Sequence, residues 1–162
     1  MSEEAVQPLD GAGEAPPRRM KPLDRSEALA LLASVSLGRL VFTQQALPAV
    51  RPVNHVLDGE DIVIRLSDGS TLASMSAPPD GRETVVAYEA DVIDADRHLG
   101  WSVVVTGYAH LVDDPADLER YERLLRPWVA RSMTGALRIR PELVTGFQLT
   151  DAPVETAATQ AD

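Results

Sequence analysis

A chain of 162 residues, 44% of them hydrophobic, suits one folded domain with its own core and excludes disorder along the whole length. Fifteen basic residues against 25 acidic ones leave a formal charge of −10, which excludes the broad basic footprint of a nucleic-acid binder. Cysteine is absent, so disulfide scaffolds, thiol catalysis and thiolate metal sites are excluded, and the composition suits a reducing, cytoplasmic setting.

The first 21 residues mix acidic, Gly, Ala and Pro positions without periodicity, and Pro16, Pro17 and Pro22 bracket Arg18, Arg19 and Lys21. This predicts a disordered arm over 1–21, a folded domain over 22–151 and a disordered tail over 152–162. No apolar run nears the roughly 20 residues that span a bilayer, and the acidic N-terminus lacks the apolar stretch of a signal peptide. No membrane partner is expected.

Asp24 and Glu27 have the spacing of a capping box, and Ala28, Leu31, Leu32 and Val35 follow at helical spacing, with Gly38 as the expected stop. Residues 39–43 alternate, with Leu40 and Phe42 on one face, and predict a strand. Strands over 50–57 and 61–66 flank the hairpin signal Asp58-Gly59. Pro52 has no N–H for a ladder, so its edge is expected to face solvent or a ligand. A polar turn and a short helix follow from Ser67. Residues 84–92 and 101–112 predict two more strands, the second being the longest. Asp114 as cap, Pro115 at the first helical position and Asp117 completing a capping box predict a second helix. Its apolar face carries Leu118, Tyr121, Leu124, Leu125 and Trp128, and Pro127 ends or kinks it. Residues 144–149 predict the last strand. Hairpins and short links without regular helix alternation predict a mainly β domain, its antiparallel sheet closed into a barrel.

Chemistry-bearing patterns are sparse. His55, His98 and His110 stand far apart without a metal-ligand spacing, so no metal site is expected. No nucleophile elbow and no phosphate-binding glycine loop occurs. The stretch from Arg65 to Thr71 offers a guanidinium, the hydroxyls of Ser67, Ser70 and Thr71, and backbone N–H groups ahead of a short helix. It reads either as a phosphate cradle or as a polar turn with a capping serine.

Four stretches together resemble the pyridoxamine-phosphate-oxidase-like, FMN-binding split-barrel family. They are Leu37-Gly38-Arg39-Leu40-Val41-Phe42; Arg51-Pro52-Val53-Asn54-His55 with the Asp58-Gly59 turn and Ile64-Arg65-Leu66-Ser67-Asp68-Gly69-Ser70; Gly100-Trp101-Ser102-Val103-Val104-Val105-Thr106-Gly107; and Arg126-Pro127-Trp128 with Leu137-Arg138-Ile139-Arg140-Pro141-Glu142 and Thr145-Gly146. The resemblance covers about residues 23–150. It implies a six-stranded antiparallel split β-barrel with flanking helices, working as a homodimer with FMN in a cleft at the interface. On that basis Arg51, Pro52, Val53 and Asn54 run along the flavin edge, and Arg65, Ser67, Ser70 and Thr71 take the phosphate. Trp101 and Ser102 approach from the long strand, and Trp128 approaches from the C-terminal segment.

The implied activity is FMN-dependent two-electron transfer to or from a small molecule, without an obvious acid or base side chain. Two positions depart from the family pattern. Thr71 stands where relatives carry Lys, and Phe147 where they carry Arg. Two alternatives follow: a split barrel using deazaflavin or haem, with His55 or His110 as an iron ligand, and a dimeric binding module without a cofactor.

Overall fold

The computed structural model describes residues 17–67, 83–126 and 132–151. Its elements are built from the local signals outward. Helix α1 (Arg25–Ala33) starts where Asp24 accepts from the Glu27 backbone while the Glu27 side chain accepts from the Asp24 N–H, a complete capping box. It ends at Ser34 rather than at Gly38, which lies inside the following strand.

Seven strands accompany it: β1 (Arg19–Pro22), β2 (Leu37–Gln44), β3 (Leu47–Asp58), β4 (Asp61–Ser67), β5 (Thr84–Asp94), β6 (Leu99–Leu111) and β7 (Met133–Thr150). Helix α2 (Pro115–Leu124) lies between the last two. All pairings are antiparallel. The order β7-β4-β3-β2-β5-β6 closes on itself through β6–β7, giving a ring of six strands, with β1 added outside it on β7. The expected six-stranded split barrel is therefore the fold, with one extra strand. No helix among the described residues is long and apolar enough to cross a membrane.

The interior follows the period-two alternation of the strands. Leu40 and Phe42, Ile62, Ile64 and Leu66, Val86 and Tyr88, Val103 and Val105, and Leu137 and Ile139 all point inward and are buried. Ala28, Leu29 and Leu32 of α1 join that cluster. A smaller cluster lies outside the ring, where Tyr121 and Leu125 of the α2 segment cover Val63 and Ala136.

Four local expectations change. Arg19–Pro22, which overlaps the expected N-terminal arm, pairs with Phe147–Thr150 because β7 runs on past β4 and leaves an edge free. The last strand begins at Met133, eleven residues earlier than the expected 144, and β7 rather than β6 is the longest. Pro141 does not stop it, because it sits where the register slips from Thr106↔Leu143 to Gly107↔Pro141, a bulge that asks for no N–H there. Asp117 forms no capping box; Asp114 caps alone by accepting from Ala116, and Asp117 accepts instead from Arg120. The short helix expected after Ser67 and the role of Pro127 fall outside the described residues.

Candidate functional site

The split that gives the barrel its site lies in β3. Residues 47–54 pair with β2, whereas β4 pairs only with residues 55–58. The edge of residues 47–54 that faces away from β2 therefore meets no described strand. Alternation along the strand fixes which groups lie there. His55 N–H donates toward β2, to Ser36 O at 2.9 Å, so Val53 and Arg51 also turn their N–H groups toward β2. Pro52 falls on the opposite, open edge. Its missing N–H costs the β2–β3 ladder nothing, as expected from the sequence.

Side-chain parity sorts the expected site residues into two sets. His55 is buried and inward, so Val53 and Arg51 share its face; the Arg51 guanidinium lies 5.9 Å from the Phe42 ring centroid and donates to its neighbour Val50 O at 2.9 Å. Trp101 is also inward and packs against the core cluster. Pro52, Asn54 and Ser102 face outward. Asn54 Nδ2 donates to Ser36 O at 3.4 Å.

Asn54 and Ser102 are not brought together within one chain. Asn54 pairs with Leu37 and Ser102 with Asp91, and the Arg39↔Glu89 register sets Leu37 level with Asp91. Three strand spacings, roughly 14 Å, separate them. Arg65 and Ser67 also face outward near the end of β4, and Arg65 Nη1 donates to Leu125 O at 3.2 Å. Ser70, Thr71 and Trp128 lie outside the described residues.

Beside the outward side of β3 is a cavity of about 690 Å³. Val35 and Leu37, Val56 and Leu57, and Leu124 supply apolar walls; Ser34, Ser36, Arg39 and Asp91 supply polar ones; and His55 borders it. That volume is in the range of small-molecule sites. Arg39 is not free there: its Nη1 donates to Glu89 at 2.8 Å and lies 3.8 Å from Asp91. Partial burial and the adjacent Asp91 carboxyl push the Glu89 carboxyl above its ordinary range, while the bond to Glu89 raises Arg39 further.

His55 is closed to an iron. Its Nε2 donates to Leu32 O at 2.9 Å and its Nδ1 accepts from the Tyr88 hydroxyl, so no ring nitrogen is left to ligate. This corrects its candidacy as a haem ligand. Burial holds the imidazole below its usual pKa and pushes the Tyr88 phenol well above its own, so both groups are neutral.

Comparison with known proteins now decides the family. Residues 24–148 match the model of the pyridoxamine 5′-phosphate oxidase family. The chain belongs to this family. An uncharacterized protein of Mycobacterium tuberculosis is 52% identical over 134 residues, covering 82% of this chain and 87% of that one. Among solved structures, a pyridoxamine 5′-phosphate oxidase homologue from Corynebacterium glutamicum superposes with a TM-score of 0.69 at 33% identity, covering 82% and 95% of the two chains. An FAD-binding protein from Mycobacterium smegmatis superposes with a TM-score of 0.62 at 29% identity, covering 82% of this chain and all of its own.

Within the oxidase-family frame, sequence reasoning missed Ser34, Ser36, Asp91 and Leu124 as cavity walls. They come from the α1–β2 corner, β5 and the end of α2. Only the outward parity of Asp91 beside Glu89 gave any signal in the sequence.

Proposed function

We propose that this protein is a flavin-binding split barrel, a small oxidoreductase that moves two electrons between a bound flavin and a small molecule, with FMN as the flavin. The observation that carries this reading is the open edge of β3 at Arg51–Asn54. A guanidinium that makes none of the described ion pairs, a proline on the unpaired edge and an outward asparagine lie there in succession. Such an edge fits a planar, hydrogen-bonding ring system, because its backbone groups need partners that no described strand supplies. Family membership and the FAD-binding mycobacterial relative support a flavin.

The flavin, when bound, supplies the electron-transfer chemistry. The chain's own residues bind and orient it. Arg51 offers a charge-assisted donor from the barrel mouth. Asn54 keeps Oδ1 as an acceptor while Nδ2 holds Ser36. The apolar walls of the cavity give a small co-substrate apolar surface to pack against.

The partner we propose is a second copy of this chain. Two rows cross five strands on the outer face: Val50–Val41–Ala87–Thr106–Leu143 and Pro52–Arg39–Glu89–Val104–Thr145. Val50, Val104 and Leu143 are exposed in them. A two-fold pairing over this face would set Asn54 of one copy near the Ser102 side of the other, which one chain alone does not achieve.

The test is the visible spectrum of the purified protein before and after incubation with FMN, and separately with FAD, followed by removal of the excess. Retention of FMN is the expected result, with Arg51→Ala lowering affinity at least about tenfold. Preferential retention of FAD favours the second reading, which the mycobacterial FAD-binding relative motivates. A protein that retains neither is a deazaflavin protein or a binding module, and the flavin reading then fails.

A further inference from the structure

Most hydrogen-bond donors in the wall of the cavity beside β3 are already engaged within the chain. The Ser34 hydroxyl donates to Leu31 O at 2.5 Å, so its oxygen is left as an acceptor. His55 N–H and Asn54 Nδ2 both donate to Ser36 O, at 2.9 and 3.4 Å. His55 Nε2 donates to Leu32 O at 2.9 Å, and its Nδ1 accepts from Tyr88. A polar ligand entering here has to bring donors of its own.

The charge of the wall points the same way. Arg39 is the one cation and Asp91 the one carboxylate among its described residues, and Arg51 is not part of it. The two do not simply cancel. The Arg39 guanidinium donates to Glu89 at 2.8 Å, whereas Asp91 lies 3.8 Å from it, beyond hydrogen-bond reach. Two carboxylates thus share one guanidinium, and the less satisfied of them is the one that borders the cavity. Partial burial and the Asp91 carboxyl hold Glu89 above its ordinary range, as befits an acid pair short of positive charge. Ser102, the β6 residue paired with Asp91, brings no charge. The remaining wall is largely apolar, with Val35, Leu37, Val56, Leu57 and Leu124.

An anion is disfavoured in this setting. Its counter-charge would have to be Arg39, and drawing that guanidinium away strands Glu89 and Asp91 side by side. A neutral ligand leaves Asp91 unanswered. A cation bearing N–H groups meets Asp91 through a charge-assisted bond and supplies the donors that the wall lacks.

We propose that this cavity selects an organic cation: a protonated amine or an amidinium on an apolar body, its charge against Asp91 and its body against Leu37, Leu57 and Leu124. Asp91 is the specificity-determining residue, and carboxylates and phosphate esters are turned away. Calling the ligand a co-substrate rests on the flavin reading; the selection itself rests on the wall alone.

The test is an amide NMR titration of the full chain with three probes that share an indole body: tryptamine as the cation, tryptophol as the neutral form and indolepropionate as the anion. Tryptamine is expected to shift the amides of residues 34–39, 56–57 and 91, and to bind at least about tenfold more tightly than indolepropionate. Asp91→Asn should cut tryptamine's advantage over tryptophol about tenfold, a ratio that general damage to the cavity would not change. Cation selection is overturned if indolepropionate binds as tightly as tryptamine. It is also overturned if Asp91→Asn leaves that advantage unmoved, or if tryptamine shifts none of those amides up to about 10 mM. Flavin retention is scored separately on the same samples. A protein that selects tryptamine yet holds no flavin removes the flavin reading and keeps this one; a protein that holds flavin without selecting tryptamine does the reverse.

Discussion

A methyl group at position 38 has nowhere to go. An added Cβ would sit 2.7 Å from the Glu89 carbonyl oxygen and closer still to the Tyr88 hydroxyl. The first is backbone, and the second is fixed by its bond to His55, so neither yields cheaply. Gly38→Ala is therefore expected to lower stability by roughly 1–3 kcal/mol, as overpacking of a filled interior does. Urea unfolding should show a reduced midpoint with an unchanged slope; a midpoint equal to that of the parent would mean that β2 and β5 are not this close. Glycine here answers a packing demand rather than a helix stop, a distinction invisible locally because Tyr88 is fifty residues away.

At the scale of elements, one carboxylate gathers several of the polar contacts between α2 and the barrel. Asp58 Oδ2, at the end of β3, accepts from the Tyr121 hydroxyl at 2.5 Å, from Arg120 at 2.8 Å and from Arg138 at 3.1 Å. The Arg120 bond and the neighbouring guanidinium charges hold the Asp58 carboxyl below its ordinary pKa. A carboxyl depressed in the folded state contributes stability above its unfolded pKa and loses it as pH falls through the folded one. Tyr121→Phe leaves the fully buried ring in place but removes the donor to Asp58 and the acceptor that the hydroxyl offers Arg120 and Arg138, so it should cost about 1–2 kcal/mol at neutral pH. The gap from the parent should narrow only as pH falls through the depressed folded-state pKa of Asp58, once that carboxyl is protonated in both proteins. Urea unfolding at several pH values checks this, and a gap independent of pH would mean that the hydroxyl does not act through Asp58. The capping signals at Asp24 and Asp114 and the Asp58-Gly59 turn, with Gly59 at φ +62°, were legible because each is decided within a few residues. The first half of β7 was not, because Pro141 reads as a breaker until Gly107 supplies the facing bulge, where a side chain would strike the Arg140 carbonyl. Nor was β1, a short basic strand ending on Pro22, which exists only because β7 outruns β4. The site was legible in part for the same reason. Pro52 announced an open edge by its own chemistry, whereas the cavity is assembled from five elements that share no pattern.

For the whole molecule, closing six strands into a ring removes most sheet edges and leaves two features uncovered by the described residues: the open edge of β3 and the apolar outer rows on β2, β5, β6 and β7. The second copy proposed as the partner would answer both. The rows alternate Val, Ala, Thr and Leu with the Arg39–Glu89 pair, a mixture of apolar surface and internally matched charge that can be covered without stranding an ion. Leu143 stands 60% exposed at the end of one row. Leu143→Arg would place an unpaired charge in the proposed interface while leaving the monomer's own packing intact. Light scattering coupled to size exclusion should find the parent dimeric and the variant monomeric, with the same far-ultraviolet circular dichroism. Flavin retention should fall in step, because the Ser102 side of the site would come from the other copy. A parent that is monomeric, or a variant that stays dimeric, removes this face as the interface. A monomeric variant that keeps its flavin at full affinity places the whole cofactor site on one chain, against the open edge of β3.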